Sequence, residues 1–165
     1  RGQRGSPLDW NPVERGVVVG GRAEEPNRPS LVSGMNHCSL DWLAYIAQPS
    51  DTKNVYTFHQ YEPYPLTNQP KPAPLMKYPG KVQIDGAEID FTADWLARLI
   101  HPVEDFRRLR GPVTVGEYGL IRWATGAANF LRDQTDEFEK YGMYYSLWEW
   151  AYAHAAVNYD EFNFS

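Results

Sequence analysis

The chain has 165 residues and a formal net charge of -5; 42% of the residues are hydrophobic and 22% are charged. This composition favours one folded domain, or part of one, over a disordered chain. The sequence has no basic stripe for nucleic acid and no apolar run long enough for a bilayer, so we expect neither as a partner. A single cysteine, Cys38, excludes an internal disulfide.

The first part of the chain alternates helical and extended patterns. "VERGVVVGGRAEE" at 13–25 predicts a helix that its glycines weaken, and "SLVSG" at 30–34 predicts a short apolar strand closed by Gly34. "SLDWLAYIA" at 39–47 spaces its apolar residues as a helix does. "VYTFHQY" at 55–61 is rich in β-branched and aromatic residues, which predicts a second strand.

The middle of the chain predicts a long loop and a helix. Residues 62–90 hold many prolines and no clear period, and loops of this length are often functional. "DFTADWLARLIHPVEDFRRL" at 90–109 has helical periodicity, and we expect Pro102 to interrupt the helix.

The last part predicts a strand, a helix and a strand. "PVTVGEYG" at 112–119 predicts the third strand, and "MYYSLWEWAY" at 143–152 predicts the fourth. The segment at 125–142 is the clearest helix, with Thr125 as its predicted N-cap and Gly142 as its predicted C-terminal stop.

Short strands that alternate with helices predict an α/β fold with a parallel sheet. Polar or aromatic residues end three of the four strands: His59 and Tyr61, then Glu117, then Trp148. Strand ends carry the site in parallel α/β folds, so these residues are candidates for one cleft. Taken alone, a glutamate such as Glu117 is more often a loop or salt-bridge residue, His59 is more often a core histidine, and Tyr61 is a packed strand aromatic.

Three blocks resemble family 5 of the glycoside hydrolases, the cellulases and mannanases with (β/α)₈ barrels. They are "TFHQYEPYPLTNQ", "PVTVGEYGLIRW" and "GMYYSLWEW", and they occur in the family's order. "RPSLVSGMNHCSLDWL" resembles the family's fifth strand and its loop. The resemblance implies a portion of a (β/α)₈ TIM barrel, roughly strands five to eight with their helices. Residues 1–165 would then form a single partial catalytic domain.

The resemblance also implies a role for each candidate. Glu117 matches the nucleophile of a retaining mechanism, and Tyr61 matches the residue that hydrogen-bonds it. His59 would hold the acid/base or a sugar hydroxyl, and Trp148 would form the floor under the sugar at the cleaved bond, with Trp150 packing against helices. The implied substrate is a β-linked polysaccharide, no cofactor is needed, and secretion is expected.

The family's acid/base glutamate follows the fourth strand in an Asn-Glu-Pro motif that this sequence lacks. Two other glutamates could replace this acid, but Glu62 should face away from Tyr61, and Glu149 should point opposite to Trp148. Neither matches a family position. His37, Cys38 and His154 form no metal-ligand pattern, so we predict no metal.

Two other functions are consistent with parts of the same sequence. A half barrel without its acid is also consistent with a module that binds glycans without cleaving them. A flavodoxin-like domain would need a phosphate loop after a strand, which the sequence lacks. Four parallel strands leave two open edges, so we expect the chain to associate with the missing N-terminal half of a barrel or with itself.

Overall fold

The computed structural model describes residues 9–48, 52–68, 76–84, 86–121 and 123–148. The strands in chain order are β1 Ser30–Ser33, β2 Asn54–Gln60, β3 Gly80–Ile84, β4 Ala87–Phe91, β5 Val113–Tyr118 and β6 Tyr144–Leu147. The helices are α1 Trp10–Glu24, the short α2 Met35–Cys38, a 3-10 helix Leu40–Tyr45, α3 Tyr64–Thr67, α4 Ala93–Arg110 and α5 Ala127–Lys140. Within these ranges, no helix is both long enough and apolar enough to cross a membrane.

The central element is a four-stranded sheet in the order β1-β2-β5-β6. Each neighbouring pair runs parallel, as the alternation of strands and helices predicts. Strands β3 and β4 form a separate antiparallel hairpin. Because all four strands of the main sheet run in one direction, the segments that follow them meet at one edge.

Two hydrophobic clusters hold these elements together. The first joins one face of the sheet to the helices and includes Val32, Tyr56, Phe58, Ile100, Val103, Val115, Tyr118 and Phe138. The second lies under the hairpin and includes Leu66, Tyr78, Val82, Phe91, Leu96, Leu120, Ile121 and Phe130. Burial of each large side chain stabilises the fold by about 1.5–3 kcal/mol relative to exposure. The hairpin therefore has a core of its own.

The other face of the sheet is open at both edges. Leu31 on β1 is 70% exposed and Tyr144 on β6 is 86% exposed. Both alternate with residues that pack into the first cluster, as expected for strands with one buried face. The predicted association of this face with a barrel half or a second copy stays a prediction.

The segment 62–90 is not the structureless loop that its prolines indicate. It contains α3 and all of the hairpin except Phe91, and Gly86 has a φ of +80° at the turn between the two strands. Val82 and Phe91 are buried in the second cluster, which supplies the apolar contacts that a hairpin alone would lack. Tertiary packing outweighs the local signal of the prolines.

Helix α4 runs through Pro102 without interruption, contrary to the prediction. Pro102 and Arg98 are exposed, so water can bind the carbonyl that loses its intrahelical hydrogen bond. Ile100 and Val103 are buried on the two sides of the proline and hold the helix against the core. The helix predicted at 39–47 is a 3-10 helix.

Of the two predictions for the ends of α5, the one for the start of the helix is wrong and the one for its end is confirmed. Gly126, not Thr125, is the N-cap; its φ is +86°, and a Cβ there would lie 1.7 Å from the carbonyl oxygen of Tyr78. Gly142 ends the helix as predicted, with a φ of +64°. Its N–H donates to the Glu139 carbonyl at 2.9 Å, the pattern of a Schellman motif.

Glu14 connects α1 to β1, and we expect it to make stability depend on pH. The Ser33 N–H donates to Glu14 Oε1 at 3.1 Å. Burial raises the pKa of the Glu14 carboxyl from 4.5 to about 7, against the opposing effect of that hydrogen bond. Because the folded state binds this proton more tightly than the unfolded state, the contribution of Glu14 to stability falls as pH rises from about 4.5 to 7.

The variant Glu14→Gln keeps an acceptor for Ser33 and removes the titration. Urea unfolding should show it more stable than the wild type at pH 8 and about equal at pH 4. Glu24→Gln, at the exposed end of the same helix, is the matched control and should follow the wild type at both values. Equal midpoints for Glu14→Gln and the wild type at pH 8 would contradict the prediction.

Candidate active site

A cleft of about 710 Å³ lies at the edge of the sheet where the four parallel strands end. The last residues of β2 and β5 and the segments that follow β1, β2 and β6 all contribute to it. The lining residues are Asn36, His37, Ser39, His59, Tyr61, Glu62, Tyr64, Glu117 and Trp148. The structure thus brings the four residues named from the sequence, namely Glu117, His59, Tyr61 and Trp148, into one cavity.

Glu117 has two close neighbours from β2 and the segment after it. The Tyr61 hydroxyl donates to Glu117 Oε2 at 3.0 Å, and His59 Nδ1 lies 3.4 Å from the same oxygen. Burial lowers the pKa of His59, the Glu117 carboxylate opposes this, and His37 adds to the lowering. The lowered pKa favours the uncharged form of the His59 imidazole beside Glu117.

A β-bulge directs Glu117 towards His59. Val115 is buried in the core, and regular alternation would send Glu117, two residues on, to the same buried side. Instead, Phe58 pairs with Val115 while the next residue, His59, pairs with Glu117, so that Gly116 is an extra residue in β5. Bulges of this kind re-aim side chains and are common next to active sites.

Two glycines provide space that the site requires. A Cβ on Gly116 would lie 2.6 Å from Thr57 Oγ1 and 3.1 Å from His59 Nε2. A Cβ on Gly119 would lie 2.2 Å from the carbonyl oxygen of Trp148. A side chain at either position would clash with a neighbouring strand end. The two glycines flank Glu117 in the sequence, and this spacing already indicates that they clear space around it.

The segment that holds Tyr61 is tied to the second core. Thr67 Oγ1 donates to the Tyr61 carbonyl at 2.7 Å, and the Ile121 N–H donates to the Thr67 carbonyl at 3.0 Å. Thr67 and Ile121 are both fully buried. These bonds hold the backbone of Tyr61, and therefore support the position of its hydroxyl beside Glu117.

Trp148 follows β6 and therefore lies at the end of the cleft that is farthest from β1. Its N–H donates to the Tyr118 carbonyl at 2.8 Å, which fixes its backbone against β5. The residue is 42% exposed, so part of its ring is available to a ligand. Indole faces are suited to the apolar faces of sugar rings.

Glu62 lines the cleft, although alternation predicts that it faces away from Tyr61. Strand β2 ends at Gln60, so alternation no longer applies to the two residues that follow. The Glu62 carboxylate accepts a hydrogen bond from the Tyr64 N–H at 3.2 Å. Glu149, Trp150 and His154 lie outside the described residues.

Sequence reasoning missed the contribution of the segment after β1. Asn36, His37 and Ser39 all line the cleft. The available signal was their position directly after a parallel strand, at the edge where the other candidates also lie. Within the described ranges, no group of three or more His, Cys, Asp or Glu side chains is arranged to hold a metal ion.

The sequence matches no protein-family model and no curated protein, whereas solved structures match the fold. The Clostridial cellulose synthase subunit Z from Clostridioides difficile has a TM-score of 0.71 at 22% identity, over 93% of this chain and 52% of that one. An endoglucanase has a TM-score of 0.72 at 21% identity, over 93% and 50%. Endoglucanase Cel5A from the hyperthermophilic Thermotoga maritima has a TM-score of 0.74 at 17% identity, over 88% and 48%.

The chain spans about half the length of the solved structures that it matches. At these identities the likeness shows the fold, and the predicted fold class, part of a (β/α)₈ barrel, is confirmed. The similar structures include endoglucanases and Cel5A enzymes, in agreement with the resemblance that the three sequence blocks indicate. The chain has the fold of about half of a TIM barrel, as in the endoglucanases that it matches.

Proposed function

We propose that this chain is the nucleophile-bearing half of a retaining β-glycanase. The substrate would be a β-1,4-linked polysaccharide, cut as by an endoglucanase or a β-mannanase. One observation carries the proposal. The Glu117 carboxylate accepts a hydrogen bond from the Tyr61 hydroxyl at 3.0 Å, in a cleft that also contains His59 and Trp148. Similar structures include Cel5A in complex with mannotriose and with cellobiose, which supports a glycan as the ligand.

The geometry is suited to the first step of double displacement. The hydroxyl of Tyr61 donates a hydrogen bond to Glu117 Oε2 and so holds the attacking carboxylate in position. A Glu117 oxygen forms a bond to the anomeric carbon as the bond to the leaving oxygen breaks, which gives a glycosyl ester. In the second step, water attacks the same carbon and releases Glu117. Trp148 would support the ring that reacts.

Both steps also need a second carboxyl group about 5–5.5 Å from the nucleophile. Of the described residues that line the cleft, Glu62 is the other carboxylate, and its hydrogen bond to the Tyr64 N–H occupies one of its oxygens. We propose that the acid/base belongs to the strand that would precede β1 in a complete barrel. The domain over 1–165 is then a partial catalytic domain, and its partner is the other barrel half or a second copy. We also propose that the protein is secreted.

Covalent trapping tests Glu117 without the missing acid. A 2,4-dinitrophenyl 2-deoxy-2-fluoro-β-cellobioside has a leaving group that departs as a phenolate and needs no proton, and its fluorine slows hydrolysis of the ester. We expect release of one equivalent of dinitrophenolate and an ester on Glu117, located by peptide mass spectrometry. The Glu117→Gln variant should remain unlabelled. A folded wild-type chain that stays unlabelled, or that is labelled elsewhere, would contradict the proposal.

A second candidate is a module that binds glycans and does not cleave them. The observation in its favour is that Glu117 and Glu62 are the two carboxylates among the described lining residues, and Glu62 is engaged with the backbone. This function predicts binding of cello- or manno-oligosaccharides together with no trapping. Absence of binding at millimolar concentration would exclude it.

A further inference from the structure

A second cavity, of about 240 Å³, lies at the opposite end of the sheet from the cleft that contains Glu117. It is found where β2 and β5 begin, between Asn54 and Pro112. At about 3.3 Å per residue, Asn54 lies about 17 Å along β2 from His59. The two cavities share none of their described lining residues. Polar side chains dominate the second one, namely Gln48, Thr52, Asn54, Tyr56 and Arg110.

Arg110 is the charged residue among those that line this cavity. Its Nη1 donates to Gln48 Oε1 at 3.4 Å, which is long for a hydrogen bond. No carboxylate in the described part of the chain forms an ion pair with it. The two preceding arginines of α4 differ in this respect, because Arg107 and Arg108 bind the Glu104 carboxylate at 2.6 and 2.7 Å. A guanidinium has five N–H donors, so Arg110 has several that no described acceptor uses.

The hydroxyl of Tyr56 is a second donor without an acceptor. Tyr56 is 2% exposed, and its hydroxyl has no hydrogen-bond partner among the residues that the structure describes. Burial raises the pKa of this hydroxyl, the charge of Arg110 opposes the rise, and Glu14 adds to it. The opposing effect indicates that the guanidinium is close to the hydroxyl, whereas Glu14 lines a neighbouring cavity. A buried hydroxyl without a partner costs free energy, which an acceptor inside the cavity would recover.

We propose that this cavity binds a small oxyanion, a carboxylate or a phosphate group, through Arg110 and Tyr56. The planar fork of a guanidinium matches two oxygens of such a group, and the tyrosine hydroxyl can donate to it as well. Since one water molecule occupies about 30 Å³ in the liquid, the cavity has the volume of about eight waters. It therefore has room for the oxyanion together with a small organic group. The site does not depend on the proposed hydrolase activity.

Melting temperatures of the chain in phosphate and in acetate test this site. At neutral pH, about 20 mM sodium phosphate should raise the melting temperature by about 2–4 °C over sodium chloride of equal ionic strength, because the anion binds the folded state. Sodium acetate is the second probe. A rise with phosphate alone assigns the site to tetrahedral oxyanions, and a rise with acetate alone assigns it to carboxylates. Equal melting temperatures in all three salts would overturn the proposal.

Two variants and a control locate the effect at the cavity. Arg110→Gln should lose the rise in melting temperature. Tyr56→Phe should lose most of it, yet be at least as stable as the wild type in chloride, because it removes a buried hydroxyl that has no partner. Arg98→Gln changes an exposed arginine of α4 outside the cavity and should keep the full rise.

Two results with these variants would contradict the site. A rise that persists in Arg110→Gln would show that the anion acts elsewhere on the chain. Loss of stability in chloride by Tyr56→Phe, together with a wild-type response to the anion, would show that the hydroxyl has a structural role and does not bind the ligand.

Discussion

Replacing Glu117 with glycine should slow the release of dinitrophenolate from 2,4-dinitrophenyl β-cellobioside by about 10³-fold or more, because it removes the attacking group. Sodium azide should restore the release. Azide fits the space left by the carboxylate, bonds to the anomeric carbon, and displaces the phenolate with its electron pair. The product should be an α-glycosyl azide, which NMR spectroscopy identifies.

Two further variants make this test specific to Glu117. Tyr61→Phe removes only the hydroxyl that donates to Oε2 and should reduce the rate about tenfold, without rescue by azide. Glu62→Gln, in the same cleft, should respond to azide as the wild type does. Equal azide acceleration in Glu117→Gly and Glu62→Gln would show that azide does not act at the position of Glu117.

Replacing Gly119 with alanine should damage both the fold and the glycan site. The new Cβ would lie 2.2 Å from the carbonyl oxygen of Trp148, so the backbone of one strand end must move. This displaces the N–H of Trp148 from the Tyr118 carbonyl, its partner at 2.8 Å. We expect a loss of about 1–3 kcal/mol in the free energy of unfolding by urea. Tetrasaccharide affinity should fall as far as in Trp148→Ala.

Gly21→Ala is the matched control for this substitution. Gly21 lies inside α1, has no atom within 4 Å of its added Cβ, and does not line the cleft. Alanine there should stabilise the chain by about 0.5–1 kcal/mol and leave glycan affinity unchanged. The contrary result is a Gly119→Ala chain with the free energy of unfolding and the glycan affinity of the wild type. That result would mean that the close approach of Gly119 to Trp148 has no effect on the site.

The alternation of strands and helices was predictable because β-branched and aromatic residues concentrate in the strands of the main sheet. The hairpin was not, since its stability comes from a second core whose members are distant in sequence, such as Leu66 and Phe130. The continuity of α4 through Pro102 likewise depends on burial of the neighbouring residues. Local pattern defines an element only where packing does not override it.

The convergence of Glu117, His59, Tyr61 and Trp148 was predictable because parallel strands end at one edge. The residues that were missed or misplaced lie where the backbone is irregular. Asn36 and His37 are in a left-handed turn, and Glu62 lies beyond the end of its strand. Periodicity gives no direction for such side chains, so only the folded structure reveals where they lie.

The extra residue at Gly116 has a consequence for relating this chain to other sequences. The direction of Glu117 depends on the number of residues between Val115 and Tyr118, both of which are buried. In a homologue with one residue fewer in this interval, the glutamate would pair with a different residue of β2. Its side chain would then point in a different direction, even though the glutamate itself was retained. An alignment that places a gap here would equate side chains on opposite faces of the sheet. The spacing of the segment is therefore as diagnostic of the site as the glutamate is.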